Sequence, residues 1–150
     1  MVATRSAIGK SIVRGEGPDK VSGKAVYAAD ISQPGMLWGR VLRSPYPYAR
    51  IVSIDKSQAE ALPGVHAVVT GQDIPDTKIG RRMVDMPVLA REVVRFVGEK
   101  VAAVAADDRD TADEALLLID VIYEELTPVY DAEEAMGADA PDLHPDMESY

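Results

Sequence analysis

Two histidines, a lysine beside an acid, one Gly-x-Gly and many carboxylates are the residues of this sequence that could do chemistry. A nucleophile–base pair needs an imidazole or its equivalent within reach of a hydroxyl or thiol. His66 stands in an apolar run after Gly64 and Val65. A structural imidazole, hydrogen-bonded or at a sheet edge, is the expectation there. His144 lies between Leu143 and Pro145 in an acidic stretch, and two isolated histidines make no metal site by spacing. Gly15-Glu16-Gly17 opens like a phosphate loop, but no strand precedes it, the third glycine is missing and Pro18 follows. It reads as part of a flexible arm. Lys56 after Asp55 has the residue types with which lipoyl and biotinyl carriers present their cofactor. Here it opens a capped helix, not a tight hairpin, and reads as a solvated lysine. Asp107 and Asp108 are placed to start a helix, where carboxylates complement the N-terminal dipole. Glu99 follows Phe96-Val97-Gly98. Gly98 supplies a turn with positive φ or a close backbone approach; a turn that starts a strand is preferred, and an interface role comes second. Tyr46 and Tyr48, on a loop with two prolines, could anchor contacts with a partner or pack over the domain's own core. The candidate interface residues are therefore Tyr46, Tyr48, Phe96, Gly98 and Glu99. No catalytic, cofactor-binding or metal-ligating residue is expected.

The elements that position these residues can be read from the hydrophobic pattern. Val21–Asp30 has room for a short strand, and Pro34-Gly35 marks a turn. Met36–Arg43 reads as a strand with Trp38 in the core and a bulge or close approach at Gly39. Ala49–Asp55 is a second strand, β-branched and alternating. Ser57–Leu62 is a short helix with a Ser57-x-x-Glu60 capping box, stopped by Pro63-Gly64. Val65–Thr70 is a strand. Gln72–Val94 has no clear period, with a surface loop over Asp76–Arg82. Val101–Ala106 is apolar throughout and predicts a buried central strand. Thr111 and Glu114 suggest a second capping box, followed by a helix face of Ala112, Ala115, Leu116 and Ile119. Asp120–Leu126 is a strand, and Asp131–Met136 one or two helical turns. Strand, short helix and strand thus occur twice, near 49–70 and 100–126, without a sequence repeat. The first connection is too short for an ordinary crossover. The economical architecture is an α+β domain: a mixed, partly antiparallel sheet with two short helix-bearing connections.

With 47% hydrophobic and 27% charged residues among 150, the chain can bury a single-domain core. A formal net charge of −9 opposes nucleic-acid binding. From Asp131 to Tyr150 there are seven carboxylates and no Lys or Arg. That block reads as a solvated tail or linker, or as a surface for a basic partner. The absence of cysteine excludes disulfides, cysteine-ligated zinc or iron–sulfur clusters and cysteine nucleophiles. It also fits the cytoplasm. No apolar run approaches membrane-spanning length.

Five ordered segments resemble the molybdopterin-binding large subunits of molybdenum hydroxylases, the xanthine dehydrogenase and aldehyde oxidase family. They are Pro18–Ile31; Gly39–Pro45 with Ala49-Arg50-Ile51; Leu62–Val65 with Val68–Gly71 and Asp73-Ile74-Pro75; Val94–Ala105; and Ala112–Ile119 with Val121, Tyr123-Glu124 and Leu126–Val129. Tyr46 and Tyr48 stand where many members carry histidine. The resemblance implies the α/β hammerhead domain of such a subunit: an N-terminal arm at 1–17, the hammerhead at 18–136 and an acidic linker at 137–150. It implies a parent enzyme that oxidises aldehydes, purines or N-heterocycles, or, in some relatives, carbon monoxide. That enzyme would carry molybdopterin, molybdenum and iron–sulfur clusters outside this chain and pass electrons to FAD or another acceptor. Partners would be the remaining molybdopterin-binding region and the iron–sulfur and flavin subunits or domains. The family's molybdopterin loops and catalytic glutamate match no residue here, so the chain alone is expected to be inactive. The competing expectation is a free-standing adaptor module derived from such a domain.

Overall fold

The structure, a computed structural model, describes residues 9–145. The outer parts of the expected arm and tail, 1–8 and 146–150, lie outside the described residues. The chain divides into two compact units between Pro34 and Gly35.

In the first unit a five-residue helix α1 (Gly17–Val21) has Pro18 in its opening turn, where a missing N–H costs nothing. The strand expected over Val21–Asp30 does not form. The Asp19 carbonyl takes the amides of Lys24 and Ala25 at 2.9 and 3.0 Å, and a 3-10 turn follows at Ala28–Asp30. These local bonds consume the donors that a ladder would need.

The second unit contains β1 (Trp38–Arg43), β2 (Ala49–Asp55), α2 (Ser57–Ala61), β3 (Val65–Thr70), β4 (Lys78–Ile79), β5 (Met86–Pro87), β6 (Val93–Val94), β7 (Lys100–Ala106), α3 (Arg109–Leu117) and β8 (Asp120–Glu125). A 3-10 turn follows at Glu134–Met136. The α+β character stands, but the strands form two three-stranded sheets, β1-β7-β3 and β6-β2-β8, plus the ribbon β4-β5. Every pairing is antiparallel. The reason lies in the connections. β2–α2–β3 and β7–α3–β8 each leave one sheet and enter the other, so neither helix makes a crossover within a sheet.

As expected, β7 is the central strand of its sheet. Ala102, Val104 and Ala106 pack with Ala59 of α2, Ala112 and Ala115 of α3, Val68 and Ile119. Val101 packs instead with Ala49, Ala90 and Val94, under Tyr46, Ile51 and Tyr123. Small side chains let the helices sit close on the sheet.

Both helix starts differ from the expected capping boxes. At α2 the Asp55 carboxylate accepts from Ser57 N at 2.9 Å, and Glu60 turns to Lys56 Nζ at 3.2 Å. At α3 the cap is Asp108, which accepts from Thr111 N at 2.8 Å and from its hydroxyl at 2.9 Å. Asp108 is extended (φ −143°, ψ 172°), the backbone an N-cap requires, which leaves Thr111 inside the first turn. Trp38 is 52% exposed at the start of the edge strand β1, not in the core. Nor does Gly39 bulge; the register shift in β1 falls between Leu42 and Arg43.

Candidate interface site

The β1–β2 connection and the β6–β7 turn meet at one corner. Ser44 is buried, and its N–H donates to the Glu99 carbonyl at 2.9 Å, while Gly98 N–H donates to the Ser44 carbonyl at 2.8 Å. Gly98 has φ +92°, the left-handed backbone anticipated from its type. Its carbonyl accepts from Arg43 Nη1 at 2.7 Å. The turn thus carries Glu99 inward, to 6% exposure. Its Oε2 accepts from Arg95 N at 2.5 Å, and its Oε1 lies 3.8 Å from Arg95 Nη1. Burial pushes the Glu99 carboxyl above its ordinary range, against the opposing pull of Arg95, His144 and Lys100.

The other candidates divide. Tyr46 tilts onto Tyr123 with ring centroids 5.0 Å apart, on the domain's own core. Burial raises the Tyr123 hydroxyl, opposed by a hydrogen bond with Ser44. Tyr48 is half-buried and lines two adjoining cavities. Phe96 and Val97 are 45% and 63% exposed at the turn's tip. One cavity, about 600 Å³, runs between Tyr48, Phe96, Val97, Pro128–Tyr130 and the segment from Gly137 to His144. The other, about 330 Å³, is polar: Asp76, Asp85, Glu92 and Asp142 face Lys78, Arg91 and Arg95. Arg91 is pinned there, its Nη1 donating to the carbonyls of Gly71 and Ile74 at 2.6 and 2.9 Å.

The remaining chemistry-bearing residues are absorbed by structure. His66 Nε2 lies 2.7 Å from Asp107 Oδ1, at the bulge of edge strand β3. Lys56 is not simply solvated: Nζ meets the Val68 carbonyl at 3.0 Å and Asp73 Oδ2 at 2.8 Å. Lys56, with the backbone and hydroxyl of Thr70, draws the Asp73 carboxyl down to about 2. Glu16, between the two glycines of the arm, pairs with Arg14 at 2.8 Å, so a carboxylate sits where a phosphate loop needs donors. The acidic stretch is also tied down, since Arg95 Nε donates to the Leu143 carbonyl at 2.8 Å and His144 Nε2 lies 3.7 Å from Asp85. Arg95 and Asp73 are the residues that sequence reasoning missed. The Arg95–Glu99 spacing of four was the available signal.

Among known proteins, the family model for the a/b hammerhead domain of aldehyde oxidase and xanthine dehydrogenase matches residues 22–127. The chain belongs to this family. It is 47% identical over 137 residues to a probable xanthine dehydrogenase subunit of Bacillus subtilis (strain 168), covering 91% of this chain and 18% of that protein. It is 42% identical over 140 residues to the nicotinate dehydrogenase large molybdopterin subunit of Eubacterium barkeri, covering 93% and 33%. The hammerhead fold is similar to a region of a Cu,Mo-CO dehydrogenase crystal structure, with TM-score 0.86, 41% identity, and 93% of this chain on 18% of that one. A quinoline 2-oxidoreductase from Pseudomonas putida 86 gives 0.80 and 42%, with 90% of this chain on 18% of that one. The hammerhead chain therefore spans about a fifth to a third of these relatives' lengths. The resemblance read from its five segments holds.

The cofactors the family implies do not fit the described residues. Iron–sulfur clusters need thiolates, and the chain has no cysteine. No group of three or more His, Asp or Glu side chains among the described residues is placed to hold a metal. A phosphate-bearing pterin in the polar cavity would face Asp76, Asp85, Glu92 and Asp142, with Arg91 already held by carbonyls.

Proposed function

We propose that this chain serves as a structural and interface domain of a molybdenum-dependent hydroxylase or dehydrogenase and is not catalytic by itself. One observation carries the reading: relatives with dehydrogenase names align with nearly all of this chain, yet most of each relative lies outside the aligned stretch. In the parent enzyme, molybdopterin with molybdenum, iron–sulfur clusters and FAD belong to other regions or subunits. Its substrate would be an aldehyde, a purine or another N-heterocycle. The domain's partners are the remaining molybdopterin-binding region and the iron–sulfur and flavin components. Tyr48, Phe96 and the Gly98–Glu99 turn form the contact corner; the gathering of exposed Phe96, Val97 and Tyr130 with Tyr48 around one cavity supports this, since contiguous apolar surface favours cover by a partner.

The test is metal analysis and turnover on the purified chain. The expected result is no bound molybdenum and no oxidation of aldehydes or purines. Stoichiometric molybdenum, or turnover, overturns the proposal.

A further inference from the structure

The guanidinium of Arg95 ties its own stretch of chain, from Val93 to Glu99, to Leu143, 48 residues further on. It donates to the Leu143 carbonyl at 2.8 Å, reaches the Val93 carbonyl on β6 at 3.3 Å, and lies 3.8 Å from the buried Glu99 carboxylate. Glu99 in turn holds the Arg95 backbone N–H at 2.5 Å. Beyond Glu134 the last described residues make short-range bonds of their own. Gly137 N donates to the Glu134 carbonyl at 2.9 Å, Ala140 N to the Gly137 carbonyl at 3.2 Å, and His144 N to Asp142 at 2.9 Å. Asp85 lies 3.7 Å from the His144 imidazole. Between this segment and Tyr48, Phe96 and Val97 lies the cavity of about 600 Å³.

We propose that Gly137–Pro145 is a strap, that Arg95 is the latch holding it on the domain, and that it opens as a unit while both sheets stay folded. Local openings occur at lower cost than global unfolding where a segment buries little and is held by a few polar ties. The strap fits that description, since no residue from Gly137 to Pro145 is fully buried. The domain beneath keeps its own ladders and apolar clusters when the strap leaves. A charged hydrogen bond to a carbonyl is the strongest kind of tie available to such a segment. Arg95 is thus a positioning residue: it sets the direction in which the chain leaves the hammerhead and the width of the groove beside Phe96.

Hydrogen–deuterium exchange of the full chain, read by mass spectrometry, tests this. In the unmodified chain, peptides covering 137–144 should exchange more slowly than a free peptide of the same sequence. Arg95→Ala should accelerate them by about tenfold, with β7 unchanged. Free-peptide rates in the unmodified chain, or no acceleration in the variant, overturn the proposal. If Arg95→Ala also exposes β7, His144→Ala replaces it, because it leaves the Arg95–Glu99 pair in place. Acceleration of about two-fold confined to 137–144 then supports the strap, and unchanged exchange overturns it.

Discussion

The two buried clusters of the hammerhead domain share the strand β7 but are built differently. The helix-side cluster has eight buried members, all apolar and five of them alanine. The corner-side cluster is smaller, with Ala49, Ala90, Val94 and Val101 buried, and it sits beside buried Ser44 and Glu99 and the tilted Tyr46–Tyr123 pair. The first can be held by volume alone. The second depends on polar groups whose bonds must be kept, and it is where the turn carrying the candidate interface residues is fixed. Fold stability and the site are thus separated to either side of one strand.

That contrast predicts a large penalty for added volume on the helix side. Ala102 is fully buried against α3 and its neighbours. Ala102→Phe should cost about 3 kcal/mol, the upper range for overpacking, read as a lower urea midpoint by circular dichroism. A cost below about 1 kcal/mol would mean that this cluster is loosely packed, and the contrast would collapse.

At Gly98, on the corner side, the sensitive quantity is backbone conformation, not volume. A Cβ at Gly98 meets nothing within 4 Å, yet φ there is +92°. Gly98→Ala should therefore cost about 1–2 kcal/mol, the left-handed penalty alone. Gly71 provides the reverse case, because a Cβ there would collide with the Ala90 carbonyl oxygen. If Gly98→Ala in the same urea assay costs as much as Ala102→Phe, the corner is as tightly filled as the helix side.

Much of this arrangement was legible in the residues. Val101–Ala106 is apolar at every position and became the central strand. Pro63-Gly64 and Asp107-Asp108 marked helix ends where helices do stop and start. The sheet to which each strand belongs was not legible, because a hydrophobic pattern reports burial and not partners. Both capping boxes failed for a related reason: an aspartate two or three residues earlier offered a shorter-reach oxygen with the right backbone. At the corner, the left-handed Gly98 could be read from its type. For Arg95 the spacing of four to Glu99 was legible, but its bond to a carbonyl 48 residues further on was not. Trp38 was misplaced because hydrophobicity says nothing about whether a strand lies at an edge.

The smallest expected effect separates the two sides by the sign of a pH dependence. Asp73, beside α2, has its carboxyl drawn from 3.8 down to about 2 by Lys56 and Thr70. Its contribution is present above pH 3.8 and is lost as the pH falls toward about 2. Asp73 is partly exposed, so after screening Asp73→Asn should cost about 1 kcal/mol at pH 7. That cost should shrink to nothing in acid. Glu99 has the opposite linkage. Burial raises its carboxyl above 4.5, so the folded chain keeps the proton after the unfolded chain has released it. Its contribution is complete below pH 4.5 and is lost as the pH rises through the higher folded value. Glu99→Gln keeps an acceptor for Arg95 N and carries no charge. Its stability relative to the unmodified chain should therefore improve as the pH rises from 4.5. Urea midpoints taken from pH 2 to pH 7 should show the two variants diverging from the unmodified chain in opposite directions. Parallel curves would mean that the polar corner and the α2 side obey the same electrostatics.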